Sequence, residues 1–233
     1  MKIGTKFFLV VAVLVLLTGI LIAYAAYYSV DQTLNLEAEH NLERARESFQ
    51  HELAITDQRL RDVVFLTASR PDVIDYAKTN NTTAMQRLAK EILQQSGLGV
   101  LTISDKQGTV LARGHSEKLG DSVASQVNVT QALSGQAFSG IEAGTVVDFS
   151  LRSSFPIKSG SDILGAVTAG IDFAHNEFLD RLKQKTGADA TIFKDDTRIA
   201  TTIIKEGKRA TGTRMDNPKV IETVLRRGEV FSA

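Results

Sequence analysis

Two short stretches of the chain carry residue types that recognise small anions. Arg113-Gly114-His115 directly follows the apolar run Thr109 to Ala112, and Leu151-Arg152-Ser153-Ser154 sits inside a second apolar run. An arginine in the middle of a strand needs a partner, because burying an unpaired charge is costly. Two arginines and a histidine brought to one sheet face would suit a carboxylate, to which a guanidinium offers a bidentate fork. Lys158 adds a fourth positive charge if its turn folds over the same face. The expected ligand-binding set is therefore Arg113, His115, Arg152 and Lys158, with a small molecule, a carboxylate, as the partner. The alternative is surface exposure, or internal ion pairs to carboxylates such as Asp148 or Glu142.

Catalytic chemistry finds no support beside them. No serine lies in a nucleophile-elbow glycine pattern. The histidines, His40, His51, His115 and His175, are scattered, and no pair has the spacing that sets two zinc ligands on one helix face. Asp195-Asp196 has the composition of a solvated turn. No catalytic residue, no metal ligand and no cofactor is expected, and the chain is not expected to be an enzyme. With 27 basic and 27 acidic residues the formal net charge is zero, so nothing favours nucleic acid as a partner. Cysteine is absent, which excludes disulfides and thiol chemistry. The 233 residues must then fold around their own core, which that length permits.

The elements that would position these residues can be followed along the chain. From Val30 to about Ala68 there is neither glycine nor proline. Leu42, Ala45, Phe49, Leu53, Thr56, Leu60 and Val63 recur every three or four residues, which predicts one long helix with an apolar stripe. Such a stripe can pack on its own domain or on a second copy as a dimeric stalk. Pro71 opens a short helix that Asn80-Asn81 breaks; Thr82 or Thr83 caps another, running to about Gln95 and ended by Gly97. Met85, Leu88, Ile92 and Leu93 would face inward. Strands are predicted at Leu98 to Ser104 and Thr109 to Arg113 around the turn Asp105 to Gly108. A short helix at Val129 to Leu133 follows. Thr145 to Phe155 and Ile163 to Ile171 pair around a turn at Lys158 to Asp162. A helix over Asn176 to Lys185 precedes strands at Ala190 to Phe193 and Arg198 to Ile203. Helices followed by hairpins predict an α+β architecture, an antiparallel sheet flanked by helices. The apolar run at Val230-Phe231 begins just before the chain stops, which predicts a fragment lacking closing strands.

Phe7 to Val30 contains no charged side chain, and at about 1.5 Å per residue it would span roughly 36 Å, enough for a bilayer core. Lys2 and Lys6 precede it, while Asp31, Glu37 and Glu39 follow, so the positive-inside tendency leaves the N-terminus in the cytoplasm. Tyr24, Tyr27 and Tyr28 would form an outer aromatic belt. Ala23-Tyr24-Ala25 also has the form a signal peptidase accepts, and cleavage there would leave a secreted module. The expected segments are a cytoplasmic N-terminus at 1–6 and a transmembrane helix at 7–29. The long helix with the helical start of the exported part covers 30–96, and a sheet domain, C-terminally incomplete, covers 97–233.

In these residues the chain resembles the Cache sensor superfamily, in the Cache 3/Cache 2 fusion type found in bacterial methyl-accepting chemotaxis proteins. The matching segments run from Arg113-Gly114-His115 through Lys118-Leu119-Gly120-Asp121 to Ser150-Leu151-Arg152 and Phe155-Pro156-Ile157. They continue with Ile163-Leu164-Gly165, Thr197-Arg198-Ile199 and Gly207-Lys208-Arg209. The resemblance implies a PAS-like α+β sensor, periplasmic and held in the inner membrane, homodimeric, with lipid contact through residues 7–29. It implies small-molecule sensing and signal transduction in chemotaxis; a histidine kinase or diguanylate cyclase output, or a secreted binding module, is the alternative. The segment also looks like citrate and dicarboxylate sensors of two-component kinases. There an Arg…His pair after a strand and an Arg on a later strand hold carboxylates, and Arg113, His115 and Arg152 align with those roles.

Overall fold

The computed structural model describes residues 3–147 and 149–231, with the side chains of residues 3–13, 31, 34, 35 and 38 outside the description. Lys2 and Asp148, and the side chains of Lys6 and Asp31, named above, therefore lie outside it. The chain divides into two compact units, Met1–Ser48 and Phe49–Ala233.

The first unit is helical throughout its described length, the N-terminal part of α1 (Ile3–Ala68). Its described apolar side chains from Leu14 to Val30 are exposed, from 54% at Tyr28 to 72% at Leu21 and Tyr27. Among the described residues no helix is long and apolar enough to cross a membrane.

In the second unit, the remainder of α1 turns one face inward. Thr56, Leu60, Val64, Thr67 and Ala68 are buried, while Phe49 and Leu53 are half-buried. The buried face thus passes through Val64, with the expected Val63 at its margin. Proline at the first position starts α2 (Pro71–Thr79), and Asn80 ends it in the left-handed region at φ 54°. The cap of α3 (Thr82–Ser96) is Asn81, whose side chain accepts from the Ala84 N–H at 3.1 Å; neither threonine serves. Gly97 closes α3 at φ 63°.

Five strands form an antiparallel sheet in the order β2-β1-β5-β4-β3. They are β1 (Val100–Asp105), β2 (Val110–Arg113), β3 (Phe138–Glu142), β4 (Ser150–Ser159) and β5 (Asp162–Asp172). In the β1–β2 turn the Asp105 carboxylate accepts from the Gln107 and Thr109 N–H groups at 2.9 and 2.8 Å. Between β2 and β3 lies the short helix α4 (Val127–Leu133). After β5 come α5 (Glu177–Thr186) and the hairpin β6 (Thr191–Lys194) and β7 (Thr197–Thr201).

Alternation along the strands gives the sheet two unlike faces. Leu101, Ile103, Ala112, Val167 and Ile157 join Leu60 and Val64 of α1, Val73 of α2, and Met85 and Ala89 of α3 in one buried apolar cluster. Phe178 and Leu179 of α5 extend it, and Phe178 meets Phe49 edge-on at 5.9 Å. The opposite face is polar. Cross-strand register lays Arg113, Thr102, Thr168, Ser154 and Phe138 in one row across all five strands. The neighbouring row brings Val100, Gly170, Arg152 and Gly140 together. Asn128 of α4 is fully buried over this face and donates to the Ser154 hydroxyl at 2.8 Å.

One strand departs from the sequence expectation. The stretch expected as a single strand from Thr145 starts pairing only at Ser150, and the segment before it is a loop. The strand that flanks β4 is β3, unforeseen because Ser139-Gly140 breaks its apolar pattern and it pairs on one side only.

Candidate functional site

Arg113 ends β2 and is 2% exposed. Its backbone is held from the side of α3, where Gln86 accepts from its N–H at 2.7 Å and donates to its carbonyl at 2.8 Å. Its guanidinium makes a fork-to-fork pair with Asp121, at 2.6 and 2.9 Å, and also donates to the Lys118 carbonyl and the Thr145 hydroxyl. The nearby guanidinium holds the Asp121 carboxyl well below the usual carboxylate range. The internal anion for Arg113 is thus Asp121 rather than Glu142, while Asp148 lies outside the described residues.

Arg152 is 5% exposed and differently partnered. It donates to the Ser150 hydroxyl at 2.6 Å, the Gln126 side-chain carbonyl at 2.9 Å and the Val147 backbone carbonyl at 2.9 Å. All three acceptors are neutral, and among the described residues no carboxylate forms an ion pair with it. Burial pushes its guanidinium pKa down. Two glycines make room for this side chain. A Cβ at Gly170 would meet its Cγ at 3.2 Å, and a Cβ at Gly144 would fall 1.9 Å from a guanidinium nitrogen. The loop of residues 143–147 therefore lies directly on Arg152, with Thr145 reaching Arg113.

His115 lines the same small cavity, its Nδ1 against the Leu101 backbone at 3.2 to 3.3 Å from the carbonyl and N–H. Burial, with the charges of Arg113 and Arg152 nearby, lowers its pKa. The space between Arg113, His115, Arg152, Thr102, Thr168 and the 143–147 loop is only about 10 Å³. That volume admits about one water. Glu142, where β3 runs into the loop, accepts from the Asn128 N–H at 3.0 Å, and burial raises its pKa.

Of the residues expected from the sequence, Arg113, His115 and Arg152 converge, while Lys158 does not join them. It stands on β4 near the β4–β5 turn, exposed, donating to the Gly135 carbonyl at 3.3 Å. Asp121, Gln126, Thr145 and Gly144 went unforeseen. A larger groove of about 640 Å³ opens elsewhere in the unit, bordered by Arg59, Lys90 and Arg181. Its cations are engaged: Lys90 with Glu117, Arg181 with Glu52, and Arg59 with the Ser96 carbonyl.

The polar face of the sheet thus carries two buried arginines under a short helix and a loop. The family described as the double sensory domain of two-component sensor kinase, dCache_3, matches residues 35–233. The chain belongs to this Cache family. Among curated proteins none matches its sequence. Solved structures share the fold of this Cache domain. The sensor domain of the V. cholerae histidine kinase DctB is 14% identical with a TM-score of 0.59, over 74% of this chain and 68% of that chain. The ligand-binding domain of the Campylobacter jejuni chemoreceptor Tlp3, in complex with 4-methylisoleucine, is 16% identical with a TM-score of 0.52, over 70% and 67%. The same domain in complex with L-valine is 15% identical with a TM-score of 0.51, over 70% and 68%.

Proposed function

We propose that this chain is the extracytoplasmic ligand-sensing region of a transmembrane chemoreceptor, without catalysis of its own. It would bind a small molecule on the polar face of its Cache sheet. The observation that carries the reading is Arg152, a guanidinium buried in the sheet and paired among the described residues with neutral groups alone. A cation held out of water without an anion is costly to the folded protein, and an anionic ligand is what offsets that cost. Membrane anchoring through residues 7–29 is supported by the charge-free run Phe7 to Val30 and by the exposed apolar side chains from Leu14 onward. A homodimer is the expected assembly, the exposed Ile55 and Leu66 on α1 being available to a second copy.

To signal, a ligand must bind one state of the receptor better than the other, since equal affinity shifts nothing. The test is a thermal-shift screen of small metabolites. At a hundred times its dissociation constant a ligand adds about 2.7 kcal/mol of stability. Arg152→Gln should abolish the response to the hit; a response that survives it sinks the site. A histidine-kinase output is the second reading, favoured by the family's being a sensory domain of two-component sensor kinases and by the likeness to DctB. Any coding sequence found to follow Ala233 would discriminate between a kinase module and a chemoreceptor signalling coiled coil.

A further inference from the structure

Directly after β2 the chain bends at Gly114-His115, and this turn carries two groups of the polar face, Arg113 and His115. Its shape is set from outside the cavity, by α3. The Gln86 side chain commits its whole amide to the turn. Its oxygen accepts from the Arg113 N–H at 2.7 Å, and its nitrogen donates to the Arg113 carbonyl at 2.8 Å and to the Ser116 carbonyl at 3.2 Å. One donor partner and two acceptor partners fix which way the amide points. Between these two anchors Gly114 rests on the helix itself. A Cβ there would lie 2.6 Å from the Ala89 carbonyl oxygen and 2.8 Å from the Leu93 Cβ. Lys90 adds an ion pair to Glu117 at 2.5 Å. Gln86, Ala89, Lys90 and Leu93 follow one another at helical spacing, so one face of α3 is given to this turn. On its other side the turn meets β1. The Gly114 N–H donates to the Leu101 carbonyl at 2.9 Å, and the His115 ring lies against the same residue.

We infer that Gln86 is the positioning residue of the polar face: it shapes the turn that presents Arg113 and His115 to the cavity, without lining the cavity itself. The inference rests on the sensor reading proposed above and names one of its working parts. Among the described residues around the cavity Gln86 does not appear, so it acts through the backbone of the turn. Asp121 and Thr145 steady the Arg113 guanidinium at its far end, while Gln86 fixes where that side chain starts. Among the described residues the His115 ring hydrogen-bonds to Leu101 alone, so its place depends on the turn that carries it. The role is demanding of side-chain chemistry. Glutamate would accept from the Arg113 N–H but would set a charge against two carbonyl oxygens, and methionine has the length and none of the hydrogen bonds. The same contacts make α3 the element that follows a movement of the turn, because Gly114 leaves no gap between them.

The experiment is an NMR titration of the histidine rings in the full chain, isotope-labelled at histidine and held in detergent micelles. The His115 signal is assigned by its loss in His115→Gln. In the unaltered protein burial chiefly lowers the His115 pKa, Arg113 and Arg152 add to that, and the Leu101 backbone and Asp172 oppose it. Gln86→Met should let the turn lift away, so that the ring titrates closer to the ordinary histidine value of about 6.5, and Gln86→Glu should do the same. Leu60→Ala, which weakens the fold from the apolar face, should leave the ring pKa where it is. So should Lys90→Met, whose ion pair is exposed at both ends. A ring pKa unchanged in both Gln86 variants overturns the inference. An equal rise in Leu60→Ala overturns it too, because the ring would then report stability and not position. Where the Gln86 variants fail to fold, amide exchange in the unaltered protein decides. With Gln86 as its acceptor, the Arg113 N–H should exchange at least about a hundredfold more slowly than in an unstructured chain. Exchange at the unstructured rate overturns the inference. No ligand enters the test, so its failure leaves the sensor reading untouched, and that reading is judged by the metabolite screen alone.

Discussion

The two faces of the central sheet are built from alternate residues of the same strands and solve opposite problems. On one, Leu101, Ile103, Val167 and Ile157 are buried in one apolar cluster with residues of α1, α2 and α3. On the other, Arg113, Thr102, Thr168, Ser154 and Arg152 are equally buried but polar, so each needs a partner. The first face holds its place through area and shape. The second holds through paired hydrogen bonds, and where an anion is missing it is poised for something else. Burial alone therefore does not mark the structural core; what a buried group is paired with does.

The contrast can be broken most severely at Asp121. Asp121→Ala leaves Arg113 buried without its anion and should cost about 3–5 kcal/mol in denaturant unfolding. A loss under about 1 kcal/mol would show that Arg113 is not held by this pair. On the apolar face, Leu60→Ala opens a cavity beneath the sheet and should cost about 2–5 kcal/mol by the same measurement. Arg152→Met provides the sharpest comparison with Asp121→Ala. Exchanging an uncompensated buried cation for an apolar chain of similar length should change stability by about 1 kcal/mol or less, or raise it. A loss as large as that at Asp121 would mean that the fold itself depends on Arg152.

Acid should distinguish the faces too. The Asp121 carboxyl has a folded-state pKa below its unfolded value of about 3.9, so its contribution is complete above that pH and is lost as pH falls further. His115 also has its folded pKa lowered, by burial of the charged form. Its neutral ring is compatible with the fold above the unfolded value of about 6.5, and stability declines as pH falls below it. His115→Gln should flatten the stability profile between about pH 5 and 7. An unchanged profile would mean that the ring titrates freely in the folded protein.

Much of the scaffold was legible because its signals are local. Pro71, Asn80-Asn81 and Gly97 bound α2 and α3 wherever the rest of the chain goes, and the β4–β5 hairpin follows from a long apolar alternation. Arg113, His115 and Arg152 were legible as charges set into strands. What escaped was decided by tertiary context. Thr145-Val146-Val147 has strand composition, yet lies as a loop over two guanidiniums, because β-branched residues fit any half-buried surface. The partnership of Asp121 with Arg113 could have been sought in the acid following Lys118-Leu119-Gly120, but the choice among several nearby carboxylates belongs to the folded chain. Lys158 failed for a simpler reason: its position at the far end of a ten-residue strand carries it away from Arg152.

The seat of Val147 on Arg152 has a consequence in time. If a ligand reaches Arg152 only after this loop has left, the loop's departure becomes the slowest step once ligand is plentiful. Association measured by stopped flow would then level off at a ceiling set by the loop, and Gly144→Val, which unseats it, would lift that ceiling. A sensor domain built this way would answer a rising concentration only as fast as its own backbone lets go.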